Sequence, residues 1–250
     1  THVAGISSAA TNNSTGIASI GFSCKIMCIK ATTSASTISA GYTGILYAAN
    51  NGAHVVNMSW GGTGSSLTNE NVINYAIGKG CILVASAGND NSTSFKYPAA
   101  YTGVISVAST TVNDEKSTFS NYGSWVKISA PGSSILSTTI NSSYGNQSGT
   151  SMASPMVAGL LGLMKFLNPT MPNQDLIQCL YQSADPLAVF PGEMGAGRIN
   201  AQAAVACVSA SLNKAPTAIF SGTPLAIVQG GKITFTDKSI YNPTSWQWSF

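Results

Sequence analysis

An α/β fold, with a mostly parallel sheet covered by helices on both faces, is what three observations in this 250-residue sequence predict. Short apolar runs read as buried strands, helix-length segments alternate with them, and two of the runs end in polar, glycine-rich loops. "KIMCIK" (Lys25 to Lys30) is the first expected strand, and "AGYTGILYAANNGA" (Ala40 to Ala53) is a helix closed by Asn-Asn-Gly. "HVVNMSW" (His54 to Trp60) is the next strand, and Thr68-Asn69-Glu70 opens a helix that ends near Gly78-Lys79-Gly80. "CILVASAGN", "GVISVAS" and "WVKISAPG" supply three more strands. From Ser143 to Pro169 a Gly/Ser/Asn-rich turn passes into a long apolar helix, with Ser151 at the junction and Pro155 in the first turn, where a missing N–H costs little.

Composition narrows the function. Eleven Lys and Arg against eight Asp and Glu give a net charge of only +3, without a basic cluster, which argues against a nucleic-acid partner. Charged residues are 8% of the chain, while Ser, Thr, Asn and Gly are abundant, a surface common in exported proteins. The longest apolar run, about Met156 to Leu167, contains Gly159, Gly162 and Lys165 and falls short of the roughly 20 residues that span a bilayer, so no membrane segment is expected. The five cysteines lack metal-ligand spacing, and the histidines are His2 and His54 alone. Cys179 and Cys207 can pair if the protein is exported; buried free thiols are the other reading for every cysteine.

Parallel sheets place their chemistry in loops at the carboxyl ends of the strands, which directs attention to "NMSWGGTGSS" and "VASAGNDNS". Each is also an ordinary turn in composition. Ser151 at the mouth of a helix is either a plain N-cap or a hydroxyl set beside free N–H groups and the positive helix end, where an oxyanion is stabilised. A nucleophilic serine needs a base. His54 falls at the amino edge of its strand, on the wrong side of the sheet, which leaves His2, at the head of the small-residue run "THVAGISSAA".

"THVAG", "VVNMSWGG", "VASAGN" and "GTSMASPMVAGL", in that order, resemble the histidine, substrate-loop, oxyanion-asparagine and serine motifs of the subtilisin-like serine proteases. The resemblance covers Thr1 to about Cys207, taken as a peptidase domain over residues 1–208. It implies that Ser151 is the nucleophile, His2 the general base and acid, and Asn89 the side-chain donor to the oxyanion. Ser59, Trp60 and Gly61 would form one substrate wall, and Ala85, Ser86, Ala87 and Gly88 the other. Lys96, before the Tyr97-Pro98 turn, would lie at the bottom of the primary pocket, either pairing with an acidic substrate side chain or snorkelling out to water. The loop "TNNSTGIAS" resembles one that wraps calcium in many subtilisins, with ligands from Thr11, Asn13, Thr15 and Ile17; no cofactor is implied for catalysis itself.

One family member is missing from the constellation. The triad aspartate precedes the histidine in the family, whereas all eight acids here, from Glu70 to Asp237, follow His2. The resemblance therefore implies a piece of a secreted, monomeric endopeptidase that acts on polypeptides and is nearly inactive without its acid. At the other end, a polar linker (residues 209–215) leads to residues 216–250, where alternating "KITFTDKS" reads as a strand and the segment resembles the first half of a PKD repeat, an incomplete immunoglobulin-like β-sandwich. Two other readings share these residues: a catalytically silent binding scaffold with the same fold, and an esterase, which normally carries Gly-x-Ser-x-Gly, a pattern not found around Ser151.

Overall fold

The computed structural model describes residues 1–32, 37–188, 192–212, 217–224, 226, 230–241 and 243–248. Its centre is a four-stranded parallel sheet in the order β1-β2-β3-β4: β1 (Val55–Met58), β2 (Ile82–Ser86), β3 (Val104–Thr110) and β4 (Ile128–Pro131). The register aligns Met58 with Ala85 and Ser86 with Val107, so successive strands end along one edge. β2 and β3 are buried throughout, as a sheet covered on both faces requires.

Alternate residues face opposite layers. Ile82, Val84, Ile105, Val107, Ile128 and Ala130 pack with α4 (Thr150–Leu167), α5 (Asn173–Gln182) and α6 (Ala201–Ser211). Leu83, Ala85 and Val104 pack with α2 (Gly41–Asn50) and α3 (Leu67–Gly78) through Ile45, Ala49, Ile73 and Ala76. The α3 start lies one residue earlier than the sequence suggests, because Ser66 caps it by accepting the Asn69 N–H at 3.2 Å.

α4 is the long apolar helix expected from its sequence, and it touches all four strands. It has the length and apolarity of a membrane span, yet Met152, Ala153, Val157, Leu160, Leu161 and Met164 lie in the core of the domain. The short helix α1 (His2–Ser8) lies against it. The approach is close enough that a Cβ at Gly159 would stand 2.8 Å from the Ser7 carbonyl oxygen, so only glycine fits there without displacing α1. Cys179 and Cys207 form a disulfide that joins α5 to α6.

Three sequence expectations are corrected. Residues 25–30 are not a buried strand: they form no ladder, and Ile26 and Met27 are 46% and 41% exposed. Among the described residues no strand lies beside them, and β1 at the sheet edge pairs with β2 alone. The turn before α4 contains a strand: β5 (Ile135–Thr139) and β6 (Ser143–Gln147) form an antiparallel hairpin turned by Asn141 and Ser142 at positive φ. β6 is polar and mostly solvated and carries no apolar alternation to announce it. The expected linker begins as helix, since α6 runs through buried Ser211, which accepts a hydrogen bond from Asn168 Nδ2 at 3.0 Å. The rest of that segment, from residue 213, lies outside the described residues. Further on, β7 (Phe220–Thr223) and β8 (Thr234–Asp237) form a second hairpin, and β8 falls within the "KITFTDKS" strand. Tyr241 then hydrogen-bonds Asp175 of α5.

Candidate active site

The site lies at the carboxyl edge of the sheet, where the chain leaving β1 and the chain leaving β2 flank the first turn of α4. The helix begins at Thr150 with Gly149 as its N-cap, so Ser151 is the second helical residue and the plain capping role does not apply. Both flanking chains hold this turn. From the β1 side, Ser59 Oγ donates to the Ser151 carbonyl at 2.9 Å, and Ser151 Oγ donates to the Ser59 carbonyl at 3.2 Å. Behind them Asn57 donates to Ser59 Oγ at 2.9 Å and accepts from Ser154 Oγ at 2.6 Å. From the β2 side, Thr150 N–H and Oγ1 both donate to Asn89 Oδ1 at 2.9 Å, and Gly88 N–H donates to Thr150 Oγ1 at 3.1 Å.

These bonds orient the Asn89 amide. A backbone N–H can only donate, so the atom facing Thr150 is the oxygen and the NH2 group is turned the other way. That group lies close to the N-cap, since a Cβ at Gly149 would stand 3.4 Å from Asn89 Nδ2. The exposed Asn89 thus presents two N–H bonds beside the start of α4, whose first-turn N–H groups have no intrahelical acceptor. The arrangement can bind a developing negative charge next to Ser151.

The loop carrying Asn89 is braced from below by Asn121, which is fully buried. Its Oδ1 accepts from Asp90 N–H at 2.9 Å and Ser92 N–H at 3.2 Å, and its Nδ2 donates to the Ala87 carbonyl at 3.0 Å. Gly88 has φ +106°, and a Cβ there would stand 2.6 Å from Asn121 Nδ2, so both conformation and space demand glycine.

His2 is 6% exposed at the head of α1. Its Nε2 lies 3.0 Å from the Gly145 carbonyl of β6, and its own carbonyl accepts from Ser137 Oγ of β5 at 2.8 Å. The unforeseen hairpin is therefore what holds the histidine. His2 Nδ1 is buried without a hydrogen-bond partner among the described residues. The structure brings His2 and Ser151 to the N-terminal ends of two packed helices, but the hydrogen bonds it gives them run to Gly145 and Ser59 rather than to each other.

The two expected substrate walls leave adjacent, parallel strands. Trp60 rests edge-on against Tyr42 with ring centroids 5.3 Å apart, and Gly61 is exposed. Ala85, Ser86 and Ala87 are buried, which makes Gly88 the accessible part of the second wall. Lys96 lies between the walls: a Cβ on Gly61 would be 3.8 Å from Lys96 Cβ, and one on Gly88 would be 3.0 Å from Lys96 Cγ. Its Nζ pairs with Asp90 Oδ2 at 2.9 Å. The hydrogen bond and charge of Lys96, with help from Asn121, hold the Asp90 carboxyl below the usual carboxylate range.

The loop at residues 11–19 is mostly exposed, with Asn12, Ser14 and Gly16 at positive φ. Asn13 Oδ1 accepts the Thr15 N–H at 3.1 Å, and Thr11 Oγ1 accepts the Ser19 N–H at 3.2 Å. Its donors are neutral oxygens, hard atoms of the kind calcium takes, without a carboxylate among them. Elsewhere, burial pushes the Cys24 and Cys81 thiols up, away from the thiolate form.

The sequence signature of the Subtilase family matches residues 1–215, and the chain belongs to that family, a class of serine-type endopeptidases. It is 43% identical to thermitase from Thermoactinomyces vulgaris over 207 residues, covering 82% of this chain and 74% of thermitase. It is 37% identical to subtilisin Savinase from Lederbergia lenta over 206 residues, covering 82% of this chain and 76% of Savinase. Among solved structures, a Pseudoalteromonas arctica PAMC 21717 protease superposes with a TM-score of 0.77 at 34% identity, over 84% of this chain and 70% of that one.

Proposed function

We propose that Ser151 is the nucleophile of a secreted endopeptidase that hydrolyses polypeptides through an acyl-enzyme. The observation that carries this reading is the Asn89 amide, whose oxygen is held by Thr150 while its NH2 group stays available at the N-cap of the Ser151 helix. Ser151 Oγ attacks the scissile carbonyl carbon and His2 Nε2 accepts its proton. Asn89 Nδ2 and the Ser151 N–H bind the resulting oxyanion. His2 then protonates the leaving amine, and water releases the acyl group by the reverse proton path. For this, Nε2 must exchange Gly145 for Ser151, a change consistent with the looser hydrogen bonds of substrate-free sites.

The third triad member would be a carboxylate against His2 Nδ1, whose buried and unpartnered state supports the assignment. Loss of that carboxylate is expected to slow peptide turnover on the order of 10⁴-fold. Cleavage of a casein-derived peptide by the full-length protein, lost in Ser151→Ala and in His2→Ala, tests the reading. A protein that binds such peptides with micromolar affinity and cleaves none is a silent scaffold instead.

The 11–19 loop would hold a structural calcium through the Thr11, Thr15 and Ile17 carbonyls and Asn13 Oδ1, whose second lone pair is left over by the bond from Thr15 N–H. Chelation by EGTA is then expected to lower the thermal midpoint of the full-length protein, and an unchanged midpoint removes the site. The β7–β8 hairpin is read as the start of a PKD-type sandwich. Its antiparallel pairing and the mutual packing of Phe220, Phe235 and Trp248 support this.

A further inference from the structure

We propose that Asn121 is a positioning residue for the reaction: it sets the place of the Asn89 amide, and its effect on turnover passes through Asn89. The inference rests on the endopeptidase reading and deepens it by naming what holds the oxyanion donor.

Asn89 lies on a segment that regular structure does not fix. The chain leaves β2 after Ser86, and Gly88 and Asn91 take left-handed conformations at φ +106° and +49°. A backbone of this shape has neither helix nor ladder to satisfy its polar groups, so its partners come from elsewhere. Asn121 supplies four of them. Its Nδ2 donates to the Ala87 carbonyl at 3.0 Å and its N–H to the Gly88 carbonyl at 3.0 Å, while its Oδ1 accepts from Asp90 N–H at 2.9 Å and Ser92 N–H at 3.2 Å. These bonds grip Ala87, Gly88, Asp90 and Ser92 and step over Asn89, whose side chain meets Thr150 instead. Placing the backbone and turning the amide are thus separate tasks, done by Asn121 and Thr150.

The brace stands on the sheet. Ser120 Oγ accepts the Ser109 N–H of β3 at 2.8 Å and donates to the Asn121 carbonyl at 2.9 Å, and all three residues are fully buried. Among the described residues, the side-chain bonds of Asn121 end only on the segment that bears Asn89. Loosening Asn121 therefore displaces the donor rather than the sheet, and a shift of about 1 Å in a group that meets developing charge costs on the order of 10²-fold in rate. Two neighbouring bonds keep the loop attached when Asn121 changes: Asn91 N–H donates to the Phe119 carbonyl at 2.8 Å, and Tyr122 N–H to the Ser92 carbonyl at 3.1 Å. The loss is accordingly graded rather than complete.

The test measures kcat and KM on one peptide substrate for the full-length parent, Asn121→Leu, Asn121→Asp, Asn89→Ala and the two double variants. Asn121→Leu keeps the branched shape and removes all three side-chain bonds. It is expected to lower kcat about 10- to 10²-fold with KM within about twofold, since misplacing the donor costs no more than the roughly 10²–10³-fold of deleting it. Asn121→Asp keeps the acceptors for Asp90 and Ser92 and gives up only the donor to Ala87, so its kcat stays within about tenfold of the parent's. In the Asn89→Ala background neither change lowers kcat by more than about twofold further, because the group they place is gone. Additive losses in that background, a rise in KM as large as the fall in kcat/KM, or a parental kcat in Asn121→Leu overturns the inference. Should Asn121→Leu not fold, Asn121→Asp reads the same cycle; failure of both to fold makes Asn121 a residue of the fold alone and overturns its positioning role. A parental kcat in Asn89→Ala overturns this inference and leaves the endopeptidase reading on Ser151. A parent that cleaves no peptide sinks both.

Discussion

Among the described residues, the Asn89 side chain is held by two bonds from Thr150 to its carbonyl oxygen, and its NH2 group is the donor proposed for the oxyanion. Asn89→Ala is therefore expected to reduce kcat roughly 10²–10³-fold with little change in KM, a magnitude taken from the corresponding donor of subtilisin, a member of the same family. Steady-state kinetics on the folded variant check this, and an equal rise in KM would point to substrate binding instead. At Asp90 the carboxyl pKa is lowered in the folded state, so its stabilising contribution is present above the unfolded carboxylate value near pH 4. It is lost as pH falls through the lower folded value. The thermal midpoint of Asp90→Asn should thus lie below the parent's at pH 7 and meet it once the pH has fallen below the folded value. The difference will be small, since the aspartate is more than half exposed. His2, Asn89 and Ser151 were singled out in the sequence because each stands in a motif of several residues. Asn121 was not: it reaches Ala87 from 34 positions away, a pairing that local pattern does not encode.

At the scale of elements, the strands β1 to β4 and the helices α2 to α4 were readable, since burial on both faces of a parallel sheet writes continuous apolar runs into the chain. The β5–β6 hairpin escaped notice because β6 is polar and mostly solvated, yet it supplies the Gly145 carbonyl that meets His2. Residues 25–30 misled for the opposite reason: their composition suits a strand, but a strand exists only with a neighbour to bond. The disulfide between α5 and α6 closes a sequence separation of 28 and ties two helices that pack on α4. By loop-closure entropy it contributes about 3–4 kcal/mol. The Cys179→Ser, Cys207→Ser double variant should lose that much in denaturant unfolding, with its m-value checked for a change in the unfolded state. A loss under about 1 kcal/mol would mean that helix packing alone secures this corner.

Over the whole molecule, the sheet brings the ends of β1 and β2 to one edge, and α4 drives its first turn between them. Chain segments as far apart as Ser59, Asn89 and Ser151 thereby meet within hydrogen-bonding distance of a single helical turn. On the proposed reading, this convergence makes Ser151, among the many serines of the chain, the reactive one. Treating the full-length protein with a fluorophosphonate and mapping the modified residue by peptide mass spectrometry tests it most directly. Stoichiometric phosphonylation at Ser151 is expected, disappearing in Ser151→Ala and slowing sharply in His2→Ala. Labelling at a different residue, or a Ser151 left unmodified while the protein still cleaves peptides, would contradict it.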